Sequence, residues 1–320
     1  MSDKNQKIKS VPSHRLTRFL HMGSLTTRIA GRALFSGATH LLKGKKVNVQ
    51  DLFINEENVS LFVSELTKLR GAALKFGQLM SLDTADFLPK QLSEILNGLR
   101  KEAYFMPTAQ VKKVLVSNWG PNFLQDFSFF DVQPLAAASI GQVHKAITKS
   151  GQIVAVKIQY PGIKESINSD LSNLLFLLNT THLLPASVNL EEIINTVREQ
   201  LHQETDYYHE ASSLTLYKSK LAQDQEFQVP KVLYEFSTSE ILVLEFMDGI
   251  YVDEMTEKDQ ATRNFIVFKL IELLFKEIFE FNFVQTDPNF SNFLYNETHK
   301  KIVLLDFGAC QNIPPKLVEE

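Results

Sequence analysis

The stretch Gln285–Gly308, QTDPNFSNFLYNETHKKIVLLDFG, is the part of the sequence that decides the fold. Asp287 and Asn292 stand five residues apart in a polar loop, and Asp306 directly follows the apolar run Ile302–Leu305. An aspartate in such a loop can orient or deprotonate an attacking hydroxyl or water, while an amide oxygen and a carboxylate can hold Mg²⁺. A polar turn without chemistry is the alternative interpretation of the loop taken alone.

A second signal lies upstream, where Pro134–Val143 forms a loop of small residues. Compared with the phosphate-binding pattern G-x-G-x-x-G-x-V, alanine replaces two of the three glycines. Small residues let backbone N–H groups approach phosphates, although alanine lacks the freedom of glycine at positive φ. Taken alone, the loop favours an ordinary turn of small residues between strands. The residues that we expect to line a nucleotide are Ala136, Ala137, Ala138, Ser139, Gly141 and Val143.

A third signal is the strand pattern Val154–Lys157, VAVK, in which a single lysine ends a run of small and β-branched residues. Such a lysine can bridge the α- and β-phosphates of a nucleotide as a fixed cation. An edge-strand lysine in solvent is the alternative. Downstream, the strand Ile241–Glu245 is followed by a turn, and we expect Glu245 and Met247 to receive an adenine ring through backbone groups.

The loop, the lysine strand, the D-x-x-x-x-N loop and the D-F-G tripeptide occur in the order, spacing and structural context of a protein kinase. Each signal alone has an ordinary structural explanation, but the four together do not. The usual His-Arg pair before the loop aspartate is absent, and Gln285-Thr286 stands in its place. The residues therefore predict a kinase-like nucleotide site.

The composition of the 320-residue chain is that of a globular protein, with 44% hydrophobic and 22% charged residues. These values exclude intrinsic disorder, collagen-like repeats and a disulfide scaffold as the main character of the chain. The single cysteine, Cys310, cannot form an internal disulfide, which is consistent with a reducing compartment.

The formal net charge of −4 hides an uneven distribution. The segment Lys4–Gln50 contains ten Lys or Arg residues and no Asp or Glu, so a basic arm precedes an acidic body. We expect this arm to bind an anionic membrane surface, and we expect no nucleic acid as a partner. A mitochondrial presequence and a solvated, partly ordered tail are the alternatives.

No segment has the features of a secretory signal or of a membrane-spanning helix. The first ten residues lack the apolar region of a secretory signal, and no run reaches 18 uninterrupted apolar residues. The richest run, Phe265–Val284, is broken by charges at helical spacing, which predicts a buried amphipathic helix.

Apolar spacing also predicts helices over 51–102, 108–118, 163–180, 190–222 and 262–283, and strands over 153–158, 228–233, 240–245 and 302–305.

Further motifs narrow the interpretation. K-x-G-Q stands at Lys75–Gln78, and E-x-D stands at Glu204–Asp206. Together with the alanine-rich loop, Lys157–Gly162 and Gln285–Phe293, these motifs closely resemble the UbiB family of atypical kinase-like proteins of ubiquinone biosynthesis. The resemblance runs from about residue 50 to 310. It implies an α+β, atypical protein-kinase-like fold of two lobes, with an N-terminal helical extension that covers the active site.

The resemblance also implies roles for charged residues. Lys75 would project into the nucleotide site, where Glu204 and Asp206 would face it, and Lys75 and Gln78 would gate access. A lysine there favours ATP hydrolysis or a small substrate over protein phosphorylation. Lys157 needs an acidic partner, and we favour Glu210. Since Glu204 and Glu210 are six residues apart, about 240° around a helix, we expect them to serve different sides.

The motif positions predict four segments. They are a basic arm (1–50), a helical extension with K-x-G-Q (51–128), a small lobe with a helical insertion (129–248) and the beginning of a large lobe (249–320). Only twelve residues follow Gly308, so we expect the large lobe to be incomplete.

The resemblance finally implies an atypical kinase or ATPase that uses MgATP and supports ubiquinone biosynthesis at a membrane. Lys157 would hold phosphates, Asn292 and Asp306 would hold Mg²⁺, and Asp287 would position the nucleophile. The expected partners are ubiquinone-biosynthesis proteins or lipid precursors, at the inner membrane of a bacterium or on the matrix side of the mitochondrial inner membrane. A non-catalytic nucleotide-binding scaffold and a small-molecule phosphotransferase are the alternatives.

Overall fold

The computed structural model describes residues 69–83, 105–181, 189–287 and 289–314, together with Leu66, Lys316 and Val318. The basic arm of residues 1–50 and the predicted helical residues 51–65, 67–68 and 84–102 lie outside the described residues. The chain divides into two compact units that interleave along the sequence. The first is drawn from Met1–Val111, Ala137–Gln142 and Gln159–His202, and the second from Lys112–Ala136, Val143–Ile158 and Gln203–Glu320. The four consecutive segments stay a prediction.

The secondary structure mixes helices and short strands. The helices are α1 (Arg70–Asp83), α2 (Thr108–Trp119), α3 (Ile163–Thr181), α4 (Leu190–Glu204), α5 (Tyr207–Lys220) and α6 (Gln260–Phe275), with a π-helical segment at Lys276–Phe281. The strands are β1 (Phe127–Ala137), β2 (Gly141–Thr148), β3 (Ile153–Gln159), β4 (Phe227–Gln228), β5 (Ile241–Glu245), β6 (Ile250–Tyr251), β7 (Phe283–Gln285), β8 (Phe293–Asn296), β9 (Lys301–Leu304) and β10 (Cys310–Asn312).

The first unit is held together by the apolar faces of α1, α3 and α4. Helix α1 packs against α3. A Cβ atom at Gly71 would lie 3.2 Å from Ile140 Cγ2, 3.3 Å from the Ser139 carbonyl oxygen and 3.5 Å from Leu201 Cδ2. The absence of a side chain at Gly71 therefore lets α1 approach α4 and the alanine-rich turn closely. The buried apolar residues of α1 are Ala72, Ala73, Phe76 and Met80.

A four-stranded sheet in the order β1-β2-β3-β5 forms one part of the second unit. Strands β3 and β5 are antiparallel, and Lys157 pairs with Leu242. Val154, Val156 and Ile158 alternate with Lys157 and are fully buried, so the pleat directs the lysine to the opposite face. The buried apolar residues anchor strand β3 in the core, and the strand thereby holds Lys157 in a fixed position.

A second sheet, in the order β4-β9-β8-β6, and a two-stranded sheet of β7 and β10 form the other part. Strands β8 and β9 form an antiparallel hairpin, in which Phe293 pairs with Leu304. Asp287 and Asn292 lie in the loop between β7 and β8, and Asp306 follows β9. The hairpin therefore brings these polar residues to one end of the sheet.

Three sequence predictions of secondary structure are wrong. The single helix predicted over 190–222 is two helices, because the Asp206 side chain accepts a hydrogen bond from the His209 backbone N–H (3.0 Å) and caps a new helix. The helix predicted over 262–283 changes to a π-helix after Phe275 and ends at Asn282, which has φ 49°. The strand predicted over 228–233 is only Phe227–Gln228, since Pro230 cannot donate to a ladder.

Helix α6 also differs from the predicted buried amphipathic helix. Ile266 and Leu273 are buried, but six apolar side chains of α6 and the π-helix are more than two-fifths exposed. The charged residues of the helix face the protein instead, where Lys269 pairs with Glu226 and Lys276 pairs with Asp224. The exposed residues are Val267, Phe268, Ile271, Leu274, Phe275 and Phe279. Within the described residues, no helix has the length and apolar character needed to cross a membrane.

Candidate functional site

Lys157 lies at the centre of the candidate site in the second unit. Its Nζ atom is 2.7 Å from Glu210 Oε1 and 3.1 Å from Asp306 Oδ2. Strand β3 presents the lysine, helix α5 presents the glutamate, and the loop after β9 presents the aspartate. Two carboxylates from distant parts of the chain therefore share one ammonium group.

The two acids around Lys157 have different environments. The side chain of Glu210 is 1% exposed, whereas that of Asp306 is 36% exposed. Burial raises the pKa of Glu210 to about 7, although attraction to Lys157 opposes this shift. Burial lowers the pKa of Lys157, but attraction to Asp306 and Glu210 outweighs it and holds the pKa well above its usual value. The geometry thus suits Glu210 to fix a charged lysine and Asp306 to reach a ligand.

Tyr207 covers Lys157, and the sequence patterns do not identify it. The Nζ atom lies 5.5 Å from the centre of the Tyr207 ring, and the tyrosine is fully buried. Burial raises the pKa of its hydroxyl far above the usual value. A tyrosine three residues before Glu210 on a helix shares its face, which is the one signal that could have found it.

The loop that carries Asp287 is bonded to the segment that carries Asp306. The Asn292 carbonyl accepts a hydrogen bond from Leu305 N–H at 3.0 Å, and Thr286 N–H donates to the Ala309 carbonyl at 3.0 Å. The Asn292 side-chain N–H donates to the Asp287 carbonyl at 3.3 Å, which leaves its amide oxygen on the other side of the group. The structure therefore holds Asp287, Asn292 and Asp306 in one constellation.

These residues fit a magnesium nucleotide. Mg²⁺ in such sites is bound by one or two carboxylates together with substrate phosphates. Asp306 offers a half-buried carboxylate whose Oδ1 accepts from Gly308 N–H at 3.0 Å, and Asn292 offers an amide oxygen. Among the described residues, no group of three or more His, Cys, Asp or Glu side chains is arranged for a metal.

Glu204 and Glu210 lie on two different helices. A Cβ atom at Gly308 would be 3.7 Å from Glu210 Oε2 and 3.8 Å from Glu204 Cα. The assumption of one continuous helix through both residues is wrong, because α4 ends at Glu204 and α5 begins at Tyr207. The side that Glu204 serves stays a prediction. Asp206 itself caps helix α5.

The alanine-rich turn, residues 137–141, lies beside the K-x-G-Q helix in the first unit. Ala138 N–H donates to the Gly141 carbonyl at 2.9 Å, and Tyr160 N–H donates to the Ile140 carbonyl at 2.9 Å. Neither the alanines nor Gly141 has a positive φ, so the turn requires small side chains rather than a left-handed backbone. Ala136 and Ala137 end β1, Ser139 lies in the turn, and Val143 lies on β2.

The two residues of the K-x-G-Q motif lie on helix α1. Lys75 is buried in the first unit, and Gln78 is half-buried. Helix α1 and the alanine-rich turn belong to the same unit, and Gly71 of the helix lies against the turn. Their gating role stays a prediction.

The predicted adenine-binding residues lie at the end of strand β5 and just after it. Glu245 ends β5, where its N–H donates to the Lys231 carbonyl at 2.8 Å, and Phe246 N–H donates to the Ile153 carbonyl at 3.1 Å. Lys145 Nζ lies 4.4 Å from the centre of the Phe246 ring. Glu245 and Met247 are half-buried, and their contact with a base stays a prediction.

A lysine held by a helix glutamate, an Asp-x-x-x-x-Asn loop and an Asp-Phe-Gly segment after a strand define a protein-kinase-like protein with a mixed α+β fold. Residues 98–320 match the ABC1 atypical kinase-like domain. The chain therefore belongs to the ABC1/UbiB family of atypical kinases, as the sequence motifs indicate.

Individual relatives agree with the family assignment. The chain is 43% identical over 305 residues to the mitochondrial atypical kinase COQ8 of Saccharomyces cerevisiae, which covers 95% of this chain and 61% of that protein. It is 38% identical over 312 residues to the mitochondrial atypical kinase COQ8B of Danio rerio, covering 96% of this chain and 50% of the relative. The chain thus spans only about half to three-fifths of the length of these relatives.

A solved structure supports the fold. The structure of Rv3197 from Mycobacterium tuberculosis, determined with erythromycin, matches with a TM-score of 0.56 and 31% sequence identity. The match covers 80% of this chain and 65% of that protein. The prediction of an atypical protein-kinase-like α+β fold is confirmed.

Proposed function

We propose that this chain binds MgATP and uses it for phosphoryl transfer or hydrolysis in support of ubiquinone biosynthesis. The observation that carries the proposal is the position of Lys157 between Glu210 and Asp306, at 2.7 and 3.1 Å. A fixed ammonium next to an exposed carboxylate is the arrangement that kinases use to bind phosphates and their metal. The names of the mitochondrial COQ8 relatives support the pathway.

Each residue of the constellation has a role that its surroundings support. Lys157 holds the α- and β-phosphates, and the buried Glu210 keeps its side chain in place. Asp306 and Asn292 would hold Mg²⁺, which would supply charge neutralisation at the phosphates. Asp287 accepts the proton of the attacking hydroxyl or water.

The first unit supplies the residues that we propose to control access. The K-x-G-Q motif at Lys75–Gln78 supports a gating role for Lys75 and Gln78. Within the first unit, a Cβ atom at Gly71 would lie 3.3 Å from the Ser139 carbonyl oxygen, so the helix that carries the motif packs against the alanine-rich turn. Such a gate favours water or a small substrate as the phosphoryl acceptor.

Phosphate release tests the catalytic proposal. We expect Asp287→Asn to lower the turnover of MgATP by about 10²- to 10⁴-fold, because general-base catalysis contributes that much. Calorimetry should show nucleotide affinity close to that of the parent, since Asp287 does not hold the phosphates. The matched control is Asp248→Asn, which changes an exposed aspartate after β5.

The outcomes separate the competing functions. Equal phosphate release by Asp287→Asn and the parent overturns the enzyme proposal. Tight nucleotide binding by a parent without turnover indicates the scaffold, and a phosphorylated small molecule in a substrate screen indicates the phosphotransferase.

We further propose that the protein acts at an anionic membrane surface, on the matrix side of the mitochondrial inner membrane. The basic segment Lys4–Gln50 and the mitochondrial relatives support this placement. Vesicles with anionic lipid should float the full chain but not a chain that begins at residue 51. Equal flotation of both chains would contradict the proposal, and neutral vesicles serve as the control.

A further inference from the structure

Tyr217 and Glu277 make a polar contact inside an apolar part of the second unit. The Tyr217 hydroxyl donates a hydrogen bond to Glu277 Oε1 and lies 3.4 Å from the Phe283 carbonyl oxygen. Tyr217 is fully buried, and Glu277 is 5% exposed. Because burial of a carboxyl group is unfavourable unless it is hydrogen-bonded, this pair constrains the packing of the elements that carry it.

The pair also contacts the strand that leads to the catalytic loop. The Phe283 carbonyl oxygen, 3.4 Å from the Tyr217 hydroxyl, belongs to the first residue of β7, four residues before Asp287. Burial raises the pKa of Glu277 to about 7, and the hydrogen bond from Tyr217 opposes that shift. The π-helical segment that carries Glu277 is thus bonded to Tyr217 of α5, and the same tyrosine contacts the strand that leads to Asp287.

The side chain of Gln285, at the other end of β7, continues the connection. Its side-chain N–H donates to the backbone carbonyl of Asp306. Strand β7 therefore contacts Tyr217 at Phe283 and Asp306 at Gln285. The two segments that carry Asp287 and Asp306 are set relative to each other by this bridge.

The ring of Tyr217 makes a separate contact with the same region. Its centre lies 4.8 Å from that of Phe307, the middle residue of D-F-G, and 5.4 Å from that of Phe283. Tyr217 follows Glu210 by seven residues, two helical turns, so both project from one face of α5. That face therefore contacts Lys157 at one end and the D-F-G segment at the other.

We propose that Tyr217 and Glu277 are positioning residues that hold the catalytic loop and the D-F-G segment in register with helix α5. They reach no substrate themselves and act through strand β7 and Phe307. The role in turnover rests on the proposed function, whereas the structural link between the pair and strand β7 can be measured without any activity.

Hydrogen–deuterium exchange on the full 320-residue chain tests the link. Tyr217→Phe keeps the ring against Phe307 but removes the hydroxyl. We expect about tenfold faster exchange of the amides of residues 283–287, with unchanged exchange in β5, because only the local opening changes. The control is Tyr208→Phe, the same substitution at an exposed position of the same helix.

A second variant guards against misfolding. Tyr217→Phe with Glu277→Leu removes both partners, so no buried carboxyl group is left without a hydrogen bond and the chain is expected to fold. We expect the same local increase at residues 283–287. Unchanged exchange there in both variants, or an equal increase throughout the chain, would overturn the proposal.

Activity measurements then separate this inference from the proposed function. If the parent turns over MgATP, Tyr217→Phe should lower kcat about 10- to 100-fold with KM within about twofold, because misplacement affects the reacting groups and not the nucleotide contacts. A changed KM with unchanged kcat overturns the positioning role. If the parent shows no turnover, the proposed function fails, and the exchange result alone decides the link.

Discussion

The side-chain amide of Gln285 donates a hydrogen bond to the backbone carbonyl of Asp306. Gln285 occupies the position where the kinase pattern H-R-D has its histidine, and an amide N–H is as able to donate as an imidazole N–H. The catalytic loop is therefore bonded to the D-F-G segment even though His-Arg is absent before Asp287.

Replacing Gln285 by methionine, which keeps the length of the side chain but not the donor, should destabilise the chain. We expect a loss of about 1 kcal/mol in the free energy of unfolding, the usual contribution of one hydrogen bond. Urea denaturation measures it. Gln311→Met is the control, because Gln311 lies exposed on the paired strand β10. A loss as large in the control as in Gln285→Met would show that the bond contributes nothing.

Lys157→Met should be strongly destabilising because it leaves Glu210 buried without its ion-pair partner. Breaking such a pair from one side costs about 3–5 kcal/mol, and replacing both partners by apolar residues restores most of it. We therefore expect Lys157→Met/Glu210→Leu to be more stable than Lys157→Met in urea denaturation.

The matched control for this pair is Lys218→Met. Lys218 is 47% exposed and lies 3.9 Å from Glu245, so its loss should change the free energy of unfolding by less than about 1 kcal/mol. Similar losses for Lys157→Met and Lys218→Met would contradict a buried ion pair.

Gly249→Ala should destabilise the hairpin of β8 and β9. A Cβ atom at Gly249 would lie 2.8 Å from Leu294 Cβ and 3.0 Å from the Tyr295 carbonyl oxygen, so backbone must move. Overpacking of this kind costs about 1–3 kcal/mol. Thermal unfolding measures the change, and Asp248→Ala, at the exposed neighbouring position, should leave the midpoint nearly unchanged. An unchanged unfolding midpoint of Gly249→Ala would contradict this prediction, because it would show that the hairpin accommodates the added Cβ atom without cost.

His144 should make the chain less stable in acid. Burial lowers the pKa of this histidine, while a hydrogen bond with the Asp131 carbonyl (2.8 Å from Nδ1) opposes the shift. Because the unfolded chain has the ordinary pKa of about 6.5, it binds protons more readily than the folded chain, and stability falls as the pH drops below that value.

The pH effect of His144 can be isolated by substitution. Urea midpoints at pH 7.5 and 5.5 should differ less in His144→Gln than in the parent. His299→Gln, which replaces an exposed histidine, should keep the difference found in the parent. Equal differences in all three proteins would rule out a contribution from His144.

The elements that sequence reasoning predicted well are those whose signals are local. Strand β3, predicted over 153–158, extends over Ile153–Gln159, and helix α2, predicted over 108–118, ends one residue later at Trp119. Alternation of apolar residues in the strand and the Gly-Pro pair after the helix determine these bounds. The four kinase-like motifs are likewise local, and their order was enough to predict the fold.

The elements that the sequence could not predict depend on tertiary contacts. Tyr217 and Glu277 are sixty residues apart, and each reads as an ordinary polar residue of a helix. Nothing near Glu277 in the sequence indicates that its carboxyl group is buried. The break at Thr205 is hidden as well, because helical spacing continues through it until Asp206 caps the next helix.

The π-helical segment Lys276–Phe281 has a consequence for chain length. A π-turn contains one more residue than an α-turn, so deleting a single residue here would convert the segment to a regular α-helix and leave the elements beyond it nearly in place. The same deletion within α6 would rotate everything beyond it by about 100°. Natural variants of the chain should therefore tolerate a single-residue deletion in this segment better than in α6.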